Sequence, residues 1–157
     1  MAYGGIGYLR REDDQNFMKP IKWNLHLSSP PQVVFDFLTT PGGIEKFWAE
    51  KATIPQGVIH FAFPNGQACE GKILKQVPHR EFQLLYFDSL VEFRLHPTED
   101  GGTDLFLENS QVPKEEHQEV HAGWVSVLLN LKAAVDFRCD LRNHDAKRTW
   151  DQGFVGN

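Results

Sequence analysis

Between Lys19 and Pro113 apolar and polar residues alternate in short runs, and beyond that point the period lengthens abruptly. Ile21, Trp23, Leu25 and Leu27 are separated by Lys22, Asn24 and His26, the period of two that marks a half-buried strand. Ser28-Ser29-Pro30-Pro31 supplies an N-cap and helix-start prolines, and Val33, Val34, Phe37 and Leu38 make a short apolar helical face. A second short helix follows the Pro41-Gly42-Gly43 break and carries Ile44, Phe47 and Trp48. Strand patterns then occupy roughly 50–54, 57–63, 67–77, 81–87, 89–96 and 103–112. They are broken at Pro55-Gln56-Gly57, Pro64-Asn65-Gly66, Pro78-His79 and Glu99 to Gly102, connections short enough to make sequential neighbours antiparallel. The last element is one helix over 117–138, where Val120, Trp124, Val127, Leu128, Leu131, Ala134 and Val135 recur at spacings of three and four.

This order predicts an α+β fold: a curved, seven-stranded antiparallel sheet, two short helices after its first strand, and a long C-terminal helix lying across it. The closing helix covers only part of so broad a face, and the short helices plug one end, which leaves a space between helix and sheet. Rings concentrate where that space falls. Trp48, Phe61, Phe63, Tyr86, Phe93 and Trp124, with Leu107, form the expected wall, although any one of these side chains also serves as ordinary packing.

Composition narrows the picture. A chain of 157 residues fits one domain and buries roughly 70% of its unfolded surface. Twelve Phe and four Trp suit an interior of rigid rings. Net charge is −5 with basic residues scattered, so nucleic acid is not expected as a partner. No apolar run approaches the ~20 residues of a membrane span, and the first residues lack the pattern of a signal peptide, so a cytoplasmic protein is expected. Cys69 and Cys139 are too few for a disulfide framework and read as reduced packing residues. Residues 1–18 form an arm that is loose or pinned by Tyr3, Tyr8 and Phe17; 19–140 form the domain. Residues 141–157 extend past the helix, where Trp150 and Phe154 indicate packing on the domain or on the partner subunit of a homodimer.

His117 and His121 stand at i and i+4, the spacing that puts two imidazoles on one helical face. Their wheel positions, about 20° and 60° from Trp124 at about 100° per residue, place both at the mouth of the space. A metal would need a third ligand, for which His60, Glu70 and His96 are the unplaced candidates, and no metal or cofactor is expected. Glu70 and Glu92 are strand carboxylates that would act as bases only if turned inward; alternation points Glu92 to water. Tyr86, in register with Phe82 and Leu84, is the polar-tipped ring of the interior. Gly4-Gly5-Ile6-Gly7 lacks the strand, lysine and helix of a phosphate loop.

LSSPPQVVFDFLTT-PGGIEKFWAEKA, GKILKQVPHREFQLLYF, GGTDLFLENS and GWVSVLLNLKAAVD together resemble the START-like (SRPBCC) superfamily over about residues 20 to 140. Within it they are similar to the branch named after the activator of heat-shock protein 90 ATPase, in its stand-alone bacterial form. The resemblance implies a helix-grip fold with a hydrophobic cavity between sheet and C-terminal helix. It implies no single activity, since members include lipid carriers, receptors, polyketide cyclases and chaperone regulators. The chaperone activator couples such a domain to a separate N-terminal one, for which this chain has no room, so chaperone activation is not expected.

The expectation is therefore binding, rather than turnover, of a small hydrophobic or amphipathic ligand. Burying ~200 Å² of its apolar area at about 25 cal/mol/Å² is worth on the order of 5 kcal/mol before association costs. Two alternatives remain: a cyclase- or hydrolase-type enzyme using Tyr86, Glu70 or a histidine on an aromatic or polyketide-like substrate, and a protein-interaction module.

Overall fold

The protein is described by a computed structural model covering residues 18–156; the arm residues Tyr3, Tyr8 and Phe17 lie outside the described residues. β1 (Ile21–Leu27) leads into α1 (Pro31–Thr39) and the one-turn α2 (Pro41–Ile44). Six strands follow: β2 (Lys51–Thr53), β3 (Val58–Ala62), β4 (Ala68–Val77), β5 (Glu81–Tyr86), β6 (Ser89–Pro97) and β7 (Thr103–Ser110). α3 (His117–Phe137) closes the domain. The second short helix is shorter than its apolar pattern suggests. Thr40 Oγ1 caps it by accepting from the Gly43 amide, and Phe47 and Trp48 belong to the turns that continue it.

The strands form one antiparallel sheet in the order β1-β7-β6-β5-β4-β3-β2, so only the first strand leaves sequence order, crossing to pair with the last. A bulge between Ile73 and Lys75 bends β4 and helps curl the sheet toward the helix. The period-two pattern holds along β7, where Thr103, Leu105, Leu107 and Asn109 are buried and the residues between them half-exposed. Leu84, Val91, Leu105 and Phe82 from the sheet meet Leu128, Leu131 and Val135 of α3 in a continuous core.

The Gly101-Gly102-Thr103 motif has a steric reason. Gly101 turns with φ +83°, and a Cβ on Gly102 would stand 2.3 Å from the Leu27 carbonyl oxygen. Thr103, fully buried, then donates its hydroxyl to the Ser29 carbonyl at 2.8 Å. The motif thus docks the β6–β7 turn against the exit of β1. At the same corner the Asp136 carboxylate of α3 accepts from the amides of Ser28 (2.9 Å) and Ser29 (3.1 Å) and from the Ser29 hydroxyl (2.8 Å).

The C-terminal extension packs on its own domain. Arg142, its side chain only 3% exposed, donates to the carbonyls of Ala49 (3.0 Å) and Glu45 (2.6 Å) and to the Asp140 carboxylate (3.0 Å). Desolvation pulls the Asp140 carboxyl up, but its hydrogen bonds from Arg142 and His144 outweigh that and hold it at about 2. The His144 ring lies between Glu50 (2.8 Å) and Asp140 (2.6 Å), whose hydrogen bonds raise its pKa. Further on, the Trp150 indole N–H donates to Glu119 of α3 (2.9 Å), and Asn65 of the β3–β4 turn donates to Asp151 (3.2 Å). The tail therefore forms a strap from the β2 edge across to the start of the long helix.

Candidate functional site

Beneath that strap lies a cleft of about 520 Å³, bounded by the first half of α3, the tips of the β3–β4 and β5–β6 hairpins, and the tail. Its floor is aromatic. The Trp48 ring lies 5.2 Å from Tyr86 and 5.8 Å from Trp124, centroid to centroid, and Tyr86 lies 5.7 Å from Trp124. Phe61 and Phe93 stand behind this trio, 4.9 and 5.9 Å from Trp48, and are buried away from the open space. Leu107 is deeper still, paired with Phe93 on one side and Trp23 on the other. Of the expected wall residues, Trp48, Phe63, Tyr86 and Trp124 face the cleft, while Phe61, Phe93 and Leu107 support it. The rings thus fill the centre of the grip, and the open volume begins where they end.

The floor carries a fixed polar network. The Trp124 indole donates to Asn109 Oδ1 at 2.9 Å, and because an indole only donates, the Asn109 amide orientation is determined. Asn109 Nδ2 then donates to Ser89 Oγ (2.8 Å) and the Leu90 carbonyl (3.0 Å), and Ser89 donates to the Tyr86 carbonyl (2.8 Å). Burial pushes the Tyr86 phenol well above its ordinary value, with the nearby Trp48 indole N–H opposing the shift. Tyr86 is therefore a neutral phenol at physiological pH. Trp48 Nε1 itself, in a residue only 5% exposed, meets no acceptor in hydrogen-bond geometry.

His117 and His121 are not at the mouth. The His117 ring donates to the Lys19 carbonyl at 3.1 Å, and His121 lies 4.8 Å from the Trp23 ring on β1. The wheel supplied the size of their offset from Trp124 but not which flank faces the opening. At about 100° per residue the histidines fall about 20° and 60° to one side; Val120, Val127, Glu116 and Gly123 fall about 40° to 100° to the other. It is the second flank that lines the cleft.

The remaining polar candidates stand elsewhere. Glu70 is exposed on the outer face, 3.9 Å from His60; Glu92 lies near Arg94 (3.6 Å), and His96 packs on Phe106. No group of three or more His, Cys, Asp or Glu among the described residues is placed to hold a metal ion. Burial raises the pKa of the Cys69 thiol, which keeps it out of its nucleophilic form.

Several residues of the cleft were not singled out by sequence reasoning. Phe87 and Asp88 make the β5–β6 turn with φ of 46° and 60°, a conformation that favours Asn-Gly, yet Phe87 holds it and packs 4.9 Å from Tyr86. A bulky ring in a left-handed turn is a local rule broken, and that was the available signal. Gly123 is another: it stands inside α3, where glycine costs roughly 0.5–1 kcal/mol relative to alanine. A Cβ there would meet nothing within 4 Å, because the position faces the cleft.

A curved antiparallel sheet gripping a long C-terminal helix, with a ring-floored cleft between them, defines the helix-grip class. The chain belongs to the family described as Activator of Hsp90 ATPase homolog 1-like protein, whose family model matches residues 28–136. The fold is similar to that of the Aha1 dimer from Colwellia psychrerythraea: TM-score 0.69, 21% identity, 76% of this chain and 97% of that one. It is similar also to protein MLL2253 of Mesorhizobium loti: TM-score 0.68, 23% identity, 77% of this chain and 99% of that one. CalU16 of Micromonospora echinospora is 29% identical over 73% of this chain and 72% of its own, with a TM-score of 0.61. No curated protein matches the chain significantly. Among the described residues no helix is long and apolar enough to cross a membrane.

Proposed function

We propose that this protein binds a small amphipathic molecule in the cleft between the hairpin tips and the first half of α3, as a cytoplasmic carrier or receptor and not as an enzyme. The observation that carries this reading is Gly123. A long helix built to clamp a sheet gains nothing from an internal glycine, whereas a helix that must leave room for a ligand does. The Phe87 turn points the same way, since it sets a locally unfavourable feature against the same open volume. Tyr86 then orients the ligand through its neutral hydroxyl. The free, reduced-type cysteines, one half-buried and one exposed, are in keeping with a cytoplasmic setting.

Nile red, a neutral apolar dye, provides the test. Gly123→Ala is expected to raise stability by roughly 0.5–1 kcal/mol, or about 1–4 °C in Tm. Gly123→Phe should fill the cleft and lower dye affinity at least about tenfold while the fold persists. Saturable one-to-one binding unaffected by Gly123→Phe would place the ligand elsewhere. The enzymatic alternative differs in what it needs of Tyr86: turnover of a bound polyketide-like aromatic, lost in Tyr86→Phe, would support it.

A further inference from the structure

The mouth of the cleft has one sign of charge. Asp88 from the β5–β6 turn, Glu116 and Glu119 from the start of α3, and Asp151 from the tail all line it, and all four are exposed. Among the described residues lining the cleft there is no Lys, Arg or His. The carboxylates come from three separate segments of the chain, so their convergence is a product of the fold and not of a local acidic run. Their hydrogen bonds are to neutral groups: Glu119 accepts from the Trp150 indole, and Asp151 from Thr149 (2.6 Å) and Asn65. Those bonds from Thr149 and Asn65 keep the Asp151 carboxyl below its usual range and hence ionised. The N-terminal dipole of α3 tempers the repulsion at Glu116 and Glu119, but Asp88 and Asp151 belong to other elements.

Trp48, Tyr86 and Trp124 lie below the rim and Trp150 lies in it, the ring types whose quadrupoles attract cations most strongly. Resting on the ligand-binding reading above, we propose that the ligand is a cation: an amine or quaternary ammonium head held at the acidic rim, with an apolar or aromatic body on the ring floor. An anionic amphiphile such as a fatty acid is the class this mouth rejects, because its carboxylate would join four like charges with no counter-ion among the described residues lining the cleft.

Three probes with one body test the charge alone: naphthylhexyl trimethylammonium, naphthylhexanol and naphthylheptanoate, titrated calorimetrically into the full chain at low and high salt. The ammonium ion is expected to bind about tenfold or more tighter than the alcohol, and the carboxylate weakest. Raising the salt should narrow the gap, since the rim is exposed. Asp88→Asn with Glu116→Gln should move the ammonium-to-alcohol ratio toward one; Asn tolerates the left-handed turn at least as well as Asp. An alcohol that binds as tightly as the ammonium, or a carboxylate that binds tightest, overturns the cation inference and leaves the pocket standing. Failure of all three probes together with Nile red overturns both.

Discussion

Replacing Trp124 by alanine is expected to lower stability by about 3–5 kcal/mol, the range for truncating a buried indole, and Tm by roughly 6–20 °C. The residue is 3% exposed and touches Trp48, Tyr86 and Phe93 at ring separations of 5.8, 5.7 and 6.0 Å, so its loss removes the centre of the floor. It also leaves Asn109 Oδ1 without its donor. Trp124→Phe is the milder truncation. It keeps a smaller ring on the floor and removes the N–H together with part of the indole's area, for an expected cost of about 1–3 kcal/mol. In that folded variant Nile red should bind more weakly than in the parent, because the floor loses contact area. Chemical denaturation gives the first number and dye titration the second. An affinity unchanged in Trp124→Phe and in any folded Trp124→Ala would remove Trp124 from the binding surface.

Asp136→Ala is expected to cost about 2–4 kcal/mol, although the residue lies far from the cleft. Its side chain is 2% exposed, and the amides of Ser28 and Ser29 have their partner in it. Desolvation pulls the Asp136 carboxyl up, but the hydrogen bonds from Ser28 and Ser29 outweigh that and hold it below the usual range. The sign of the pH effect follows. A carboxyl whose folded pKa is depressed stabilises the fold above its unfolded pKa, about 4, and that stabilisation is lost as pH falls through the folded value. The stability gap between parent and variant should therefore be flat through neutral pH and close below about pH 4. A gap that widened on acidification would mean that the contact does not depend on the ionised carboxylate.

The fold was legible because its two periods are clean. Alternation in Ile21–Leu27 and in Thr103–Ser110, against the three-four spacing of Val120 to Val135, separates sheet from helix almost to the residue. Register is a different matter. That β1 crosses to pair with β7, Ile21 opposite Asn109, depends on closure of the whole sheet and on the Gly102 approach to Leu27, neither of which is a local signal. The aromatic floor was legible for the same reason as the core, since Trp48, Tyr86 and Trp124 are where inward-facing positions coincide with large rings.

The rest of the site was not legible, because it is assembled by tertiary placement. A helical wheel is symmetric about Trp124 until the sheet decides which flank it covers, so His117 and His121 could be assigned a distance but not a side. The tail carried aromatic residues without a period, and only its pairing with Glu119 and Asn65 turns it into a rim. The acidic mouth draws one carboxylate from a hairpin tip, two from a helix start and one from the tail, a grouping with no sequence spacing at all.

Native mass spectrometry of the protein purified from its own cells reads out whether the cleft above Trp48, Tyr86 and Trp124 holds a small molecule. The expected result is a noncovalent adduct of one small molecule per chain, released on denaturation and absent from Gly123→Phe prepared in the same way. A bare chain mass for the parent protein, or an adduct retained undiminished in Gly123→Phe, would contradict it.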